Sequence, residues 1–367
     1  MKKFLFFAAI AAISLASCSN DETIAVNNSS GGEISFRPLM NNVTRAADIT
    51  EASLQSNGFT VTAINHGSSP ETKYFDAVAF TWNDPAYTSA TKYYWPESGS
   101  LDFYAYAPST SSQYSKTDYK TFVVTPSTTV AEQVDLVYAN TNEKSKATSA
   151  SGVALNFRHT ESKIAIKVKN TSADLKFEVT GWKVGYLSAS GTFTYSASNT
   201  DTKNSAQLAS GWGSLATASA STTYANTFSS QTIPASTSSE TEITGSTEMI
   251  LIPQSQTAAT AYANSGTSAV GDVVNGSYIA VQMTIKSNAN DATVVSNGWA
   301  IWPVAFTWAP GKKYTYIVDL AGGGYSETNA DTDAELDPIL SGTEIKFVSV
   351  TVDDWAAGGD IAVPSAP

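Results

Sequence analysis

The chain has 367 residues, with 21 basic and 33 acidic side chains, a formal net charge of −12 and a single cysteine. That acidic excess repels nucleic acid and anionic lipid surfaces, which argues against both as partners. One cysteine excludes an internal disulfide, so stability must come from core burial, and the length suffices for two domains.

Residues 1–17 read as a secretory signal peptide. Lys2 and Lys3 precede an apolar run over 4–16 that is too short to cross a bilayer as a permanent helix. Leu15-Ala16-Ser17-Cys18 resembles a bacterial lipobox, whose cysteine is lipidated and becomes the first mature residue, so Cys18 is the expected lipid attachment site. Losing the two lysines would take the formal charge from −12 to −14. Residues 18–32 are polar, contain Gly31-Gly32 and read as a tether between lipid and domain. Ser19-Asn20-Asp21-Glu22 resembles the acidic signal that directs lipoproteins to the outer face of an outer membrane.

Beyond the tether no stretch carries a sustained helical period with caps. Short β-branched and aromatic runs bounded by Gly, Pro, Asn and Ser recur instead, and these predict strands. The first lies at 34–39, with Ile34, Phe36 and Leu39 as its apolar positions and Pro38 suited to an edge. Further strands are expected at 59–64, 74–82, 93–96, 101–108, 121–125 and 134–138, then a polar loop over 140–151. In the next run Ile164, Ile166 and Val168 alternate with Lys163, Lys167 and Lys169, predicting one buried and one wet face. Paired strands are expected within 179–195, joined by 188–191. The Ser-, Thr-, Ala- and Asn-rich stretch 199–248 has few apolar anchors and reads as long loops or an insertion. Strands return at 249–253, 278–285, 299–308 and 314–320, and an acidic turn at 331–337 precedes a last strand over 344–355. Many short strands at close spacing predict an all-β chain of two antiparallel β-sandwiches, divided near residues 157 and 158 into domains 33–157 and 158–367.

Few groups could carry chemistry. His66 and His159 are isolated, and a lone histidine beside a strand is a structural residue more often than a base. No Gly-x-Ser-x-Gly elbow, phosphate-cradling loop or His-Glu-x-x-His motif occurs. No catalytic residue, metal site or cofactor is therefore expected. The carboxylates of 331–337 alternate as in a calcium loop, but Leu336 stands where an EF-hand needs glycine, and a solvated turn is the better reading. Most of the eight tryptophans and seventeen tyrosines fall inside strands, leaving Trp212 and Tyr325 as loop aromatics free to bind a ligand. Arg45, one of three arginines, lies in a polar segment open to a protease and is followed by Ala46.

Taken together, these features resemble the fimbrillin family of lipoprotein-derived pilus subunits. The likeness rests on the lipobox, Glu33-Ile34-Ser35-Phe36 followed by Thr44-Arg45-Ala46, Tyr94-Trp95-Pro96, and the 101–108 and 134–139 runs. It continues through Phe157-Arg158-His159, Ser162-Lys163-Ile164, Trp308-Ala309-Pro310-Gly311-Lys312 and Glu344-Ile345-Lys346-Phe347, ending at Trp355. The resemblance implies transthyretin-like sandwiches, export as a lipoprotein to the outer membrane, and a surface protease that cuts after arginine. Carried onto this chain, the cut falls between Arg45 and Ala46, and the displaced strand carries Ile34, Phe36 and Leu39. A donor strand from another fimbrial subunit would fill the vacated groove. The candidate donor residues here are Val348, Val350, Val352, Ile361 and Val363. The first reading is thus a non-enzymatic pilus subunit or tip adhesin, with a host or bacterial surface ligand for an adhesin. The alternative is a surface lipoprotein that binds glycans and never polymerises, and a glycoside hydrolase ranks last.

Overall fold

The structure, a computed structural model, describes residues 32–40, 49–195, 211–246, 248–260, 276–326, 339–340 and 349–355. Strand accounts for 56% of it and helix for 5%, so the chain is all-β with several antiparallel sheets.

The N-terminal half is built on a six-stranded antiparallel sheet in the order Arg158–His159, Val137–Lys144, Leu101–Ala107, Phe59–Asn65, Lys73–Asn83, Ala86–Thr88. Side chains alternate across a strand, and both faces of this sheet are apolar. On one face Phe59, Val61, Phe103, Ala105, Val137 and Ala139 enter a core with Ile34, Phe36 and Leu155. On the other, Tyr104, Tyr106 and Tyr138 pack with Phe122, Phe193 and Tyr195. That second face is covered by a four-stranded sheet ordered Trp212–Gly213, Gly191–Thr194, Thr121–Val124, Tyr114–Lys116. The sheet thus draws on chain from both sides of residue 157.

The C-terminal half packs two sheets over a core that includes Ile164, Ile166, Val168, Trp182, Val281 and Met283. One sheet runs Thr237–Glu242, Ser162–Asn170, Lys312–Asp319, Ser349–Asp354, with Met249–Leu251 also on Ser162–Asn170. The other runs Ser219–Ile233, Leu175–Leu187, Tyr278–Ser287, Thr293–Pro303, Tyr325–Ser326. Not every pairing is antiparallel: Phe36–Leu39 lies parallel to Val153–Asn156, and Ser162–Asn170 parallel to Lys312–Asp319.

Several sequence expectations change. A helix, Glu51–Asn57, forms where none is expected; it is too short to show a period, and it is delimited by Thr50, whose hydroxyl accepts from Ser53 N–H at 3.1 Å, and by Gly58 at φ +73°. The expected loop over 140–151 is strand as far as Lys144. Leu175–Leu187 and Gly191–Thr194 do not pair with each other but enter different sheets. The largest correction concerns 199–248, where Ser219–Ile233 is a 15-residue strand along Leu175–Leu187. It ends its sheet and buries few side chains, such as Tyr224 and Ile233, so Ser and Thr on the wet face dilute its apolar signal. Lys163, expected on the wet face, is 2% exposed and paired with Glu248 at 3.1 Å.

Candidate functional site

The N-terminal strand and its seat form the first part of the site. Ile34, Phe36, Pro38 and Met40 are buried, whereas Leu39 is half-buried. The buried set is therefore the period-2 series that starts at Ile34, and Leu39 is out of phase with it. Leu39, expected among the buried positions, is thus replaced there by Pro38 and Met40, which continue the alternation.

The phenyl ring of Phe36 meets Phe80, Phe103 and Phe59 edge-on, with centroids 4.7, 5.3 and 6.2 Å away. Such contacts contribute about 0.5–1.5 kcal/mol each beyond area burial. Upstream, Ile34 N–H donates to the Tyr93 carbonyl at 2.8 Å and Trp95 N–H to the Gly32 carbonyl at 3.0 Å, which closes a bridge between Glu33 and Tyr94. The Glu33–Lys92 ion pair, 2.8 Å apart, is solvent-exposed and adds little.

Among the described residues Phe36–Leu39 pairs only with Val153–Asn156, in a two-stranded sheet. Val153 N–H reaches the Ser35 carbonyl at 2.8 Å and Phe157 N–H the Leu39 carbonyl at 2.9 Å. In a parallel ladder alternate residues face the partner, here the odd-numbered ones, so Pro38 faces away and its missing N–H costs no ladder bond. Gly152, at φ +94°, permits the close approach. A Cβ there would lie 3.1 Å from Ser35 Oγ and 3.2 Å from Arg37 Cγ. Arg37 Nε in turn donates to the Gly152 carbonyl at 3.4 Å.

The second part of the site is the last strand. Val350 and Val352 lie in Ser349–Asp354, paired antiparallel with Lys312–Asp319 at the end of its sheet, and they are 47% and 52% exposed. Cys18, Arg45, Ala46, Val348, Ile361, Val363 and the acidic turn 331–337 lie outside the described residues.

Between the two parts is a buried polar junction that the sequence did not announce. Asp135, 1% exposed, accepts from Ile49 N–H at 3.0 Å and meets His159 Nδ1 at 2.9 Å. The His159 ring stacks on Trp355 with centroids 4.2 Å apart and planes 3° from parallel. Lys163 Nζ stands 5.3 Å from the centre of the same indole ring. Glu161 is buried beside them and accepts from Leu136 N–H and the Thr160 hydroxyl at 3.1 and 2.7 Å. Burial, reinforced by the charge of Asp135, pushes its carboxyl well above the usual carboxylate range. Trp212 closes the junction by donating its indole N–H to the Thr160 carbonyl at 2.7 Å, so it is half-buried in a strand and is not a loop aromatic. Tyr325 likewise belongs to a strand, Tyr325–Ser326.

The two histidines do not converge. His66 Nδ1 pairs with Asp102 at 2.9 Å on the surface, whereas His159 Nε2 is buried with no hydrogen-bond partner among the described residues. Among the described residues no three His, Cys, Asp or Glu side chains gather as a metal site would require. No described helix is long and apolar enough to cross a membrane.

The sequence profile of the fimbrillin-like family matches residues 44–355, most of the chain. The chain belongs to the fimbrillin-like family. It matches no curated protein. Among solved structures it is similar to a fimbrial protein from Bacteroides vulgatus ATCC 8482, with 16% identity, a TM-score of 0.59, and coverage of 88% of this chain and 99% of that one. A protein assigned to cell adhesion from Bacteroides eggerthii DSM 20697 shares 17% identity at a TM-score of 0.44, covering 89% of this chain and 97% of that one. At 16% identity the likeness to the Bacteroides vulgatus protein concerns the fold. Family membership agrees with the resemblance carried by the strand motifs and by the arginine segment, which begins at the first matched residue, Thr44.

Proposed function

We propose that this fimbrillin-like protein is a structural subunit or tip adhesin of a cell-surface pilus, exported as a lipoprotein through Cys18 and activated by a cut between Arg45 and Ala46. The observation that carries this reading is a strand with a buried face, Phe36–Leu39, paired on one side only among the described residues and continuous with the rest of the chain through the segment that contains Arg45. A cut there turns the strand into a separate peptide held by packing and a short ladder. Ile34, Phe36 and Met40 each contribute about 1.5–3 kcal/mol on burial, roughly 4.5–9 kcal/mol together. A peptide so held stays bound until another strand competes for its seat. Exchange, with a donor from a neighbouring subunit, therefore fits better than simple release.

Arginine placement favours a selective cut. Arg37 and Arg158 lie in paired strands, and Arg158 Nη1 donates to Asn156 Oδ1 at 2.7 Å. A protease needs several residues of unpaired chain, so Arg45 is the remaining target. The donor would be the C-terminal run with Val348, Val350, Val352, Ile361 and Val363, which must leave its pairing with Lys312–Asp319 first. An arginine-specific protease acting on the folded lipoprotein should yield a product that begins at Ala46. Arg45→Ala should block both processing and assembly, and unchanged assembly in that variant would refute the mechanism.

A further inference from the structure

The last strand is held in an uneven way. Residues 349–353 are all exposed, whereas Trp355 is only 3% exposed. Val350 and Val352 sit opposite Tyr316 and Tyr314, so they share the core-facing side of the sheet, yet half of each remains in water. Among the described residues the strand is the edge of its sheet, where ladder hydrogen bonds compete with solvent. What remains is one aromatic side chain in a built slot.

The walls of that slot are themselves held by hydrogen bonds and ion pairs. His159 supplies the stacked face at 4.2 Å, and Asp135, itself buried, holds the other edge of the imidazole at 2.9 Å. Lys163 supplies a cation near the indole, and Glu248 fixes it at 3.1 Å. Trp355 N–H donates to the Gly311 carbonyl at 2.9 Å, while Gly311 N–H is tied to the Glu161 carbonyl at 2.8 Å. Each wall is positioned by a partner from another part of the chain and not by Trp355 alone. His159 uses the face of its ring here, and its buried Nε2 bonds nothing among the described residues.

We propose that Trp355 is a latch: its seat between His159 and Lys163 keeps the last strand paired with Lys312–Asp319, and withdrawal of this side chain frees the strand as a unit. The latch rests on the pilus reading for its consequence, because a docked last strand cannot donate to a neighbour. Assembly would then need two events, a cut that opens the acceptor seat and an unlatching that frees the donor.

Hydrogen exchange on the uncut full-length chain, read by mass spectrometry, tests the latch without reference to polymers. Trp355→Ala should raise exchange of the Ser349–Asp354 amides by at least tenfold and leave Phe36–Leu39 and Tyr278–Ser287 at wild-type rates. Trp355→Phe, which can still stack, should remain close to wild type. Wild-type exchange of Ser349–Asp354 in Trp355→Ala would overturn the proposal. Should that variant loosen Tyr278–Ser287 as well, Trp355→Leu decides, since it keeps an apolar plug and removes the flat ring. Selective opening in Trp355→Leu supports the latch, and no selective opening overturns it. Cutting at Arg45 separates the two ideas: an opened last strand without polymers leaves the latch standing and removes the donor role, whereas polymers from a chain whose ladder ignores Trp355 remove only the latch.

Discussion

Phe36 is the residue on which the N-terminal strand depends, because three phenyl rings close around it. Phe36→Ala should destabilise the uncut chain by about 3–5 kcal/mol, while Leu39→Ala, at a half-buried position, should cost about 1 kcal/mol; chemical denaturation of the two variants measures the difference. Glu161 gives a second test at this scale. Its folded carboxyl titrates above the unfolded value of 4.5, so the folded state holds the proton more tightly. Stability from this group is fully present below pH 4.5 and declines as pH rises through the raised folded value. Glu161→Gln keeps an acceptor for Leu136 and Thr160 and has no charge to bury. It should be more stable than the parent at neutral pH, and the gap should close below the unfolded carboxylate value, as thermal unfolding across pH can show.

Among the elements, the Phe36–Leu39 strand owes its place to Val153–Asn156 and to the turn before it. Gly152→Ala would put a Cβ at φ +94° within 3.2 Å of Arg37 Cγ, so it should cost about 1–3 kcal/mol and speed hydrogen exchange in the N-terminal strand more than in the six-stranded sheet. Much of this architecture was legible as alternation. Ile34, Phe36 and the Ile164, Ile166, Val168 series are buried as their spacing requires. What stayed hidden has physical causes. Ser219–Ile233 buries so few side chains that its polar face masked the strand, and the helix after Thr50 is two turns long. The Asp135–His159–Trp355 junction joins residues far apart in the chain, and no local period reports such a meeting. Lys163 follows the same logic: its spacing marks the outer face of a strand, but Glu248 and Trp355, distant in the chain, meet it there.

For the whole molecule, an acidic chain without internal disulfides holds one strand at its beginning by packing and another near its end by a single indole. Both lie at the margins of sheets, where exchange between copies costs the least core. Native mass spectrometry of the arginine-cut chain tests most directly whether the N-terminal strand is, as proposed, a replaceable part of the fold. The predicted result is a single cut at Arg45, a fragment that remains bound in dilute solution, and its loss as larger assemblies form at high concentration. Cleavage at Arg37 or Arg158 in the folded chain, or a cut product that stays monomeric with its fragment bound at every concentration, would contradict the account.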